Sequence, residues 1–146
     1  MTKEIDFYYD YKTGDANAFG SIKIADSIFE FDCTYLFSNP FEDLFMSISQ
    51  LVPSVVPFPR NQITFIMYSE PFEYRWEFNK INDGTIGLKI FIKEYEPKFV
   101  LVFAEDCELK SLVKAILQQI QINLQLLSNQ SMKNIYKSLK QYVKKD

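Results

Sequence analysis

Polar and apolar residues alternate with a period of two over much of the first hundred positions, and with a period near 3.6 beyond them. These are the patterns of half-buried strands and of amphipathic helices. Residues 5–11 place Phe7, Tyr9 and Tyr11 on one side and Asp6, Tyr8 and Asp10 on the other, which predicts a strand. Residues 19–25 and 28–35 predict a hairpin turning at Asp26-Ser27, with Ile24 opposite Phe29 and Ile22 opposite Phe31. Ile22, Ile24, Phe29, Phe31, Cys33 and Tyr35 then share one side. A helix over 39–52 follows. Asn39 suits its cap, Pro40 its first turn, and Phe41, Leu44, Phe45 and Ile48 its apolar stripe. Pro53 ends it, and PSVVPFPRN reads as a stiff connection.

Residues 62–104 predict an antiparallel meander. Ile63, Phe65 and Met67 alternate with Thr64, Ile66 and Tyr68, and Glu70-Pro71 interrupts the pattern. Tyr74, Trp76 and Phe78 share one face, with Glu73, Arg75 and Glu77 opposite. Ile86, Leu88, Ile90 and Ile92 alternate with Gly87, Lys89, Phe91 and Lys93. A two-residue loop at Asp83-Gly84 would turn the two apolar faces to opposite sides. A three-residue loop, Asn82-Asp83-Gly84, aligns them, with Gly84 in the left-handed region. Trp76 then faces Ile90, Phe78 faces Leu88 and Tyr74 faces Ile92. On the other face Glu77 meets Lys89, Glu73 meets Lys93, and Arg75 lies across from Phe91, so opposite charges fall together.

Residues 98–104 (KFVLVFA) are apolar on both faces and predict a central or covered strand. Asp106 suits the cap of a long helix with the stripe Leu109, Leu112, Val113, Ile116, Leu117, Ile120, Leu124 and Leu127. Ser128-Asn129 interrupts it. A last helix sets Met132, Ile135, Tyr136, Leu139 and Val143 against Lys133, Lys137, Lys140 and Lys144. The expected fold is a single α+β domain over 1–146. N-terminal strands occupy 1–35, a short helix 39–52, the meander 62–104 and the C-terminal helices 106–143. In it an antiparallel meander sheet of about six or seven strands is packed on one face by the long C-terminal helix.

Composition narrows the chemistry. The 146 residues contain no histidine, which excludes Ser-His-Asp and Cys-His catalysis and the usual zinc enzyme sites. Only four glycines are present, and neither GxGxxG nor GxxxxGK[ST] occurs, so no phosphate-cradling loop is expected. Cys33 and Cys107 lack metal-ligand spacing and read as reduced thiols; Cys107, in a first helical turn, would favour a thiolate. No metal and no cofactor are expected. The start MTKEIDFYYDY lacks a basic segment followed by an apolar run, and no stretch of about 18 apolar residues occurs, so a cytoplasmic protein without a membrane span is expected. Charge is uneven: residues 1–128 hold 11 Lys+Arg and 18 Asp+Glu, a balance of −7, and residues 129–146 hold 5 Lys and 1 Asp, a balance of +4. The acidic body argues against nucleic acid as a partner.

Glu73, Arg75, Glu77, Lys89, Phe91 and Lys93 form the candidate partner-binding face, a flat sheet surface with fixed charges around an aromatic ring. The same residues also suit a solvated face held by cross-strand ion pairs. Glu70, Glu73 and Glu77 are the carboxylates on which a hydrolase would have to draw, but no residue is assigned a catalytic role.

Two motifs carry a resemblance. One is a helix start that runs Tyr-Leu, then Asp or Asn with Pro or Ala, then an acid followed by Leu; here it spans Tyr35-Leu36, Asn39-Pro40 and Asp43-Leu44. The other is the strand Glu70-Pro71-Phe72-Glu73-Tyr74-Arg75-Trp76. Together, over 19–104, they are similar to a family of small uncharacterised bacterial proteins, which implies a bacterial source and no particular activity. By fold-level analogy, small acidic α+β proteins of this kind look like the immunity proteins that neutralise bacterial toxins. The expectation is a non-catalytic protein-binding module, with an immunity-type inhibitor of a toxin as its leading form. Self-association through the open sheet face is the alternative, followed by a carboxylate-based hydrolase.

Overall fold

The computed structural model describes residues 3–145. Strands β1 (Ile5–Asp10), β2 (Asn17–Ile24) and β3 (Ser27–Thr34) form one antiparallel sheet in that order. Helix α1 (Pro40–Ser49) follows. Strands β4 (Gln62–Ser69), β5 (Phe72–Asn82), β6 (Thr85–Lys93) and β7 (Val100–Glu108) form a second antiparallel sheet, again in sequence order. Helix α2 (Leu109–Ile122), a 3-10 turn over Leu124–Leu126 and helix α3 (Gln130–Lys144) complete the chain. Among the described residues no helix is long and apolar enough to cross a membrane.

The α+β class is as expected, but the strands form two sheets instead of one. The helix and Pro-rich segment between β3 and β4 separate the hairpins, and each sheet carries one apolar face that has to be buried. The two faces bury one another. Ser27 Oγ donates to Glu105 on β7 at 2.8 Å. Phe29 meets Tyr74 and Trp76 edge-on at 5.3 and 6.2 Å, and Phe31 meets Trp76 edge-on at 5.4 Å. Ser69 Oγ on β4 donates to Asp32 Oδ1 at 2.6 Å. Strand β3 therefore crosses the second sheet from β7 to β4, over Trp76. The cover expected from the long helix is supplied by Phe29 and Phe31. Helix α2 lies instead along β1, where Gln119 Nε2 donates to the Tyr9 carbonyl at 3.1 Å and Asn123 Nδ2 to the Tyr11 carbonyl at 3.0 Å. The first amide satisfies a carbonyl on the edge of β1 that no strand pairs, and the second one just past its end.

Local details explain the remaining departures. The first hairpin turns at Ala25-Asp26, with Ile22 opposite Phe29 and Ile24 opposite Ser27. This is a shift of two residues from the expected register, so every side chain keeps its face. The shift sets Phe31 opposite Gly20 where the expected register would crowd it against Ile22. Ala25 takes a φ of 54° to make the turn. Between β5 and β6 the expected cross-strand partners are all found, from Glu73 with Lys93 to Phe78 with Leu88. Gly84 has a φ of 89°, but Asn82 pairs with Thr85 and the odd residue is taken up at Ile81. The parity argument holds, while the loop has two residues and not three.

Strand β7 is at the sheet's edge, not its centre, and it continues to Glu108 because Ile86 and Gly87 still pair with Cys107 and Asp106. Asp106 consequently caps nothing, and α2 starts at Leu109 without a side-chain cap. The α2 stripe also stops early: Leu124 falls beyond Ile122 and is exposed. The two C-terminal helices are separate, and Asn129 Oδ1 caps the second by accepting from the Met132 amide at 2.9 Å.

Candidate functional site

Among the described residues no helix or strand covers the outer face of the second sheet, opposite Trp76; Phe37, from the loop after β3, meets Tyr68 at 5.4 Å. Strand pairing arranges it in rows. Thr64, Glu77, Lys89 and Ala104 form one row, and Ile66, Arg75, Phe91 and Leu101 the next. Tyr68, Glu73 and Lys93 begin a third. All six candidate residues thus stand together on β5 and β6. Alternation along both strands puts them there, because Tyr74, Trp76, Phe78, Leu88 and Ile90 take the buried side.

The charges at this face are only partly paired as expected. Lys93 Nζ lies 3.3 Å from Glu73 Oε2, as the register implies. Glu77 does not pair with Lys89. It lies 3.8 Å from Arg75 Nη2 and accepts from Gln62 Nε2 at 3.1 Å and from Asn79 Nδ2 at 3.0 Å. Three donors around one carboxylate leave it no call for the longer lysine reach, and Lys89 is exposed without an ion pair among the described residues.

Arg75 is the centre of the face. Its guanidinium carbon lies 4.4 Å from the Phe91 ring centroid and 5.0 Å from that of Phe99. Lys93 Nζ lies 5.6 Å from the Phe99 ring. Arg75 Nε is buried without a hydrogen-bond acceptor, so the two ring faces supply its electrostatic company. Phe99, Ile66, Tyr68 and Leu101 belong to the surface but were not expected there. For Phe99 and Leu101 the signal was in KFVLVFA: a strand apolar on both sides can be an edge strand that adds them to an open face, as well as a covered one.

The glutamates do not converge. Glu73 and Glu77 hold cations on an open face, and Glu70 sits in the tight β4–β5 turn, where the Glu70–Pro71 bond is cis. The Lys133, Lys137 and Lys144 side of α3 faces solvent, and Lys140 lies 4.9 Å from the Tyr136 ring.

Both cysteines are buried. Cys107 is on the inner side of β7, not in a helical turn, so no helix terminus favours its thiolate. Burial pushes the Cys33 thiol up to about 11 and the Cys107 thiol up to about 12. Burial also raises the Tyr9 and Tyr35 hydroxyls, which hydrogen-bond to each other at 2.6 Å. These groups hold their protons more tightly folded than unfolded. Their contribution to stability is therefore complete below the unfolded thiol pKa of about 8.5, and it is lost as pH rises through the folded values. The melting temperature is expected to fall steadily from pH 9 to 11. The Cys33→Ala, Cys107→Ala double variant should show a shallower fall; an equal slope would mean that the thiols do not take part.

No family model, curated protein or solved structure matches this chain.

Proposed function

We infer that the chain is a non-catalytic, bacterial protein-binding module that docks its partner on the outer face of the second sheet. One observation carries this reading: Arg75 is held between Phe91 and Phe99 at the middle of a four-stranded face that no helix or strand covers among the described residues. Arginine and aromatic residues, pre-positioned at the centre of a surface, are the groups that dominate protein interfaces. The pairs Glu73–Lys93 and Arg75–Glu77 give the rim fixed polarity of both signs. Among binding modules we favour an immunity-type inhibitor of a toxin. The balance of −7 over residues 1–128 suits a basic, nuclease-like target and would speed encounter with it. Self-association through the same face is the second reading, favoured by the apolar row Ile66, Phe91 and Leu101 beside Arg75.

The test is co-purification from the native host with wild-type bait beside two variants, Phe91→Ala and Glu73→Ala with Arg75→Ala. A partner held by the wild type should lose affinity by about 30-fold or more in each variant, which is about 2 kcal/mol. A partner held equally by all three removes this face from the function. Light scattering of the purified chain separates the second reading, since a dimer dispersed by Phe91→Ala would establish self-association.

A further inference from the structure

Among the described residues the other three edge strands carry charges or side-chain contacts: β3 has the exposed Glu30 and Asp32. On β1, Gln119 bonds the Tyr9 carbonyl, and Asn123 bonds that of Tyr11 just past the strand. At β4, Ser69 is tied to Asp32, and α1 and β3 pack alongside. The second half of β7 carries the charges of Glu105, Asp106 and Glu108, and Lys3 and Ser27 both reach Glu105, at 3.3 and 2.8 Å. The first half is left open. Val100, Leu101 and Val102 are 55%, 48% and 46% exposed, and β6 is the sole strand that pairs with β7 among the described residues. No charge interrupts residues 99–104. An uncharged, apolar, unpaired edge is the feature that folded proteins ordinarily suppress.

Beside this edge lies a cleft of about 470 Å³, lined by Ile92, Tyr95, Val100 and Val102 with Glu94, Glu96 and Lys98 at its rim. Its volume is in the range of ligand-binding clefts. Val100 and Val102 point to the cleft side, while Leu101 pairs with Phe91 on the outer face. Val102 is an extra residue without a partner on β6, and this bulge returns Phe103 to the core. A strand laid along the first half of β7 would therefore find an unpaired edge over Val100–Val102, ending at the bulge. It would also meet the apolar side chains of Val100 and Val102 on the cleft side, and two carboxylates against one ammonium at one end.

We propose that the free edge of β7 takes an added strand from a partner protein: an extended segment with apolar side chains at alternate positions and a basic residue where it meets Glu94 and Glu96. Main-chain hydrogen bonds hold the segment, and the cleft selects its alternate side chains. This site uses residues distinct from Arg75 and Phe91, and it stands or falls separately from the outer face.

The test uses the full chain and a fluorescein-labelled peptide, Lys-Val-Thr-Val-Thr-Val-Lys, in an anisotropy titration. Two isomers carry N-methyl groups, one on the valines and one on the threonines. A strand bonds to an edge through alternate residues only, so one isomer is expected to bind at least ten-fold more weakly while the other matches the parent. Exchanging both lysines for glutamate should also weaken binding at least ten-fold. Val102→Glu in the protein should abolish it, and Arg75→Ala should leave it unchanged. Should Val102→Glu fail to fold, the isomer comparison on the wild type decides alone. Equal binding of parent and both isomers, or no binding at all, overturns the proposal. So does a chain dimer that Val102→Glu disperses without any effect of peptide, because the occupant would then be a second copy.

Discussion

Replacing Trp76 with alanine is expected to remove about 3–5 kcal/mol of stability, the largest effect of any single truncation in this chain. The side chain is 0% exposed. Three rings from two strands meet it: Phe31 edge-on at 5.4 Å and Phe29 edge-on at 6.2 Å, both from β3, and Phe65 of β4 stacked at 5.7 Å. Two of these belong to the first sheet and one to the second, so the indole is the seam between the sheets. Rings of that size, fixed on strands, cannot collapse into the space it leaves, and the cavity adds to the lost transfer energy. Domains are stable by about 5–15 kcal/mol in total, so the variant keeps a fraction of its margin. Urea unfolding followed by far-UV circular dichroism measures it; fluorescence does not serve, since Trp76 is the chain's one tryptophan. Trp76→Phe should retain the stacking on Phe65 and lose less. A loss under about 1.5 kcal/mol for the alanine variant would place the seam elsewhere.

The second large effect comes from adding atoms. Gly20 lies under the ring of Phe31, its partner on β3. A Cβ there would stand 2.6 Å from Phe31 Cζ and 2.7 Å from the Tyr8 carbonyl oxygen. Neither neighbour can retreat easily. The ring is fixed edge-on against Trp76, and the oxygen is part of β1. Gly20→Ala is expected to destabilise by about 1–3 kcal/mol, although alanine is ordinarily the better strand residue. Combining it with Phe31→Leu should give less than the sum of the two single losses, because the smaller side chain relieves one of the two collisions. Strict additivity in thermal or urea unfolding would show that Phe31 does not set the constraint.

Much of the second sheet was readable from residue order because two signals agree there. The alternation of Tyr74, Trp76 and Phe78 with Glu73, Arg75 and Glu77 fixes the faces. The parity of the loop to Leu88 and Ile90 then leaves one register, and the structure has it. The cap at Asn39 was readable for a similar reason, since Asn, Pro and an acid each suit their place, and Asn39 Oδ1 does accept from the Glu42 amide at 3.0 Å. What was not readable depends on contacts remote in sequence. That β3 crosses over Trp76 follows from how two apolar faces fit, which alternation along either strand does not contain. KFVLVFA is another case: apolar residues on both sides mark a strand as buried only if something lies beyond it, and nothing in the segment says whether anything does. At the candidate site the six residues were placed on one face, but the rings around Arg75 were half missed. Phe99 reaches it from a loop-proximal position that local pattern does not tie to β5.

The amides that Gln119 and Asn123 give to β1 have a bearing on how the chain is made. Their partners, Tyr9 and Tyr11, are separated from them by 110 and 112 positions. During synthesis the first strand leaves the ribosome long before the helix that seals it. At about 5–20 residues per second, its edge stays open for several seconds. In that interval the nascent hairpins carry an unsealed strand at one side, and a chain stopped before α2 would carry it permanently. A cell that truncates this protein at Glu108 should thus gain an aggregation-prone fragment instead of a smaller working domain. The first strand is finished only when the second helix is.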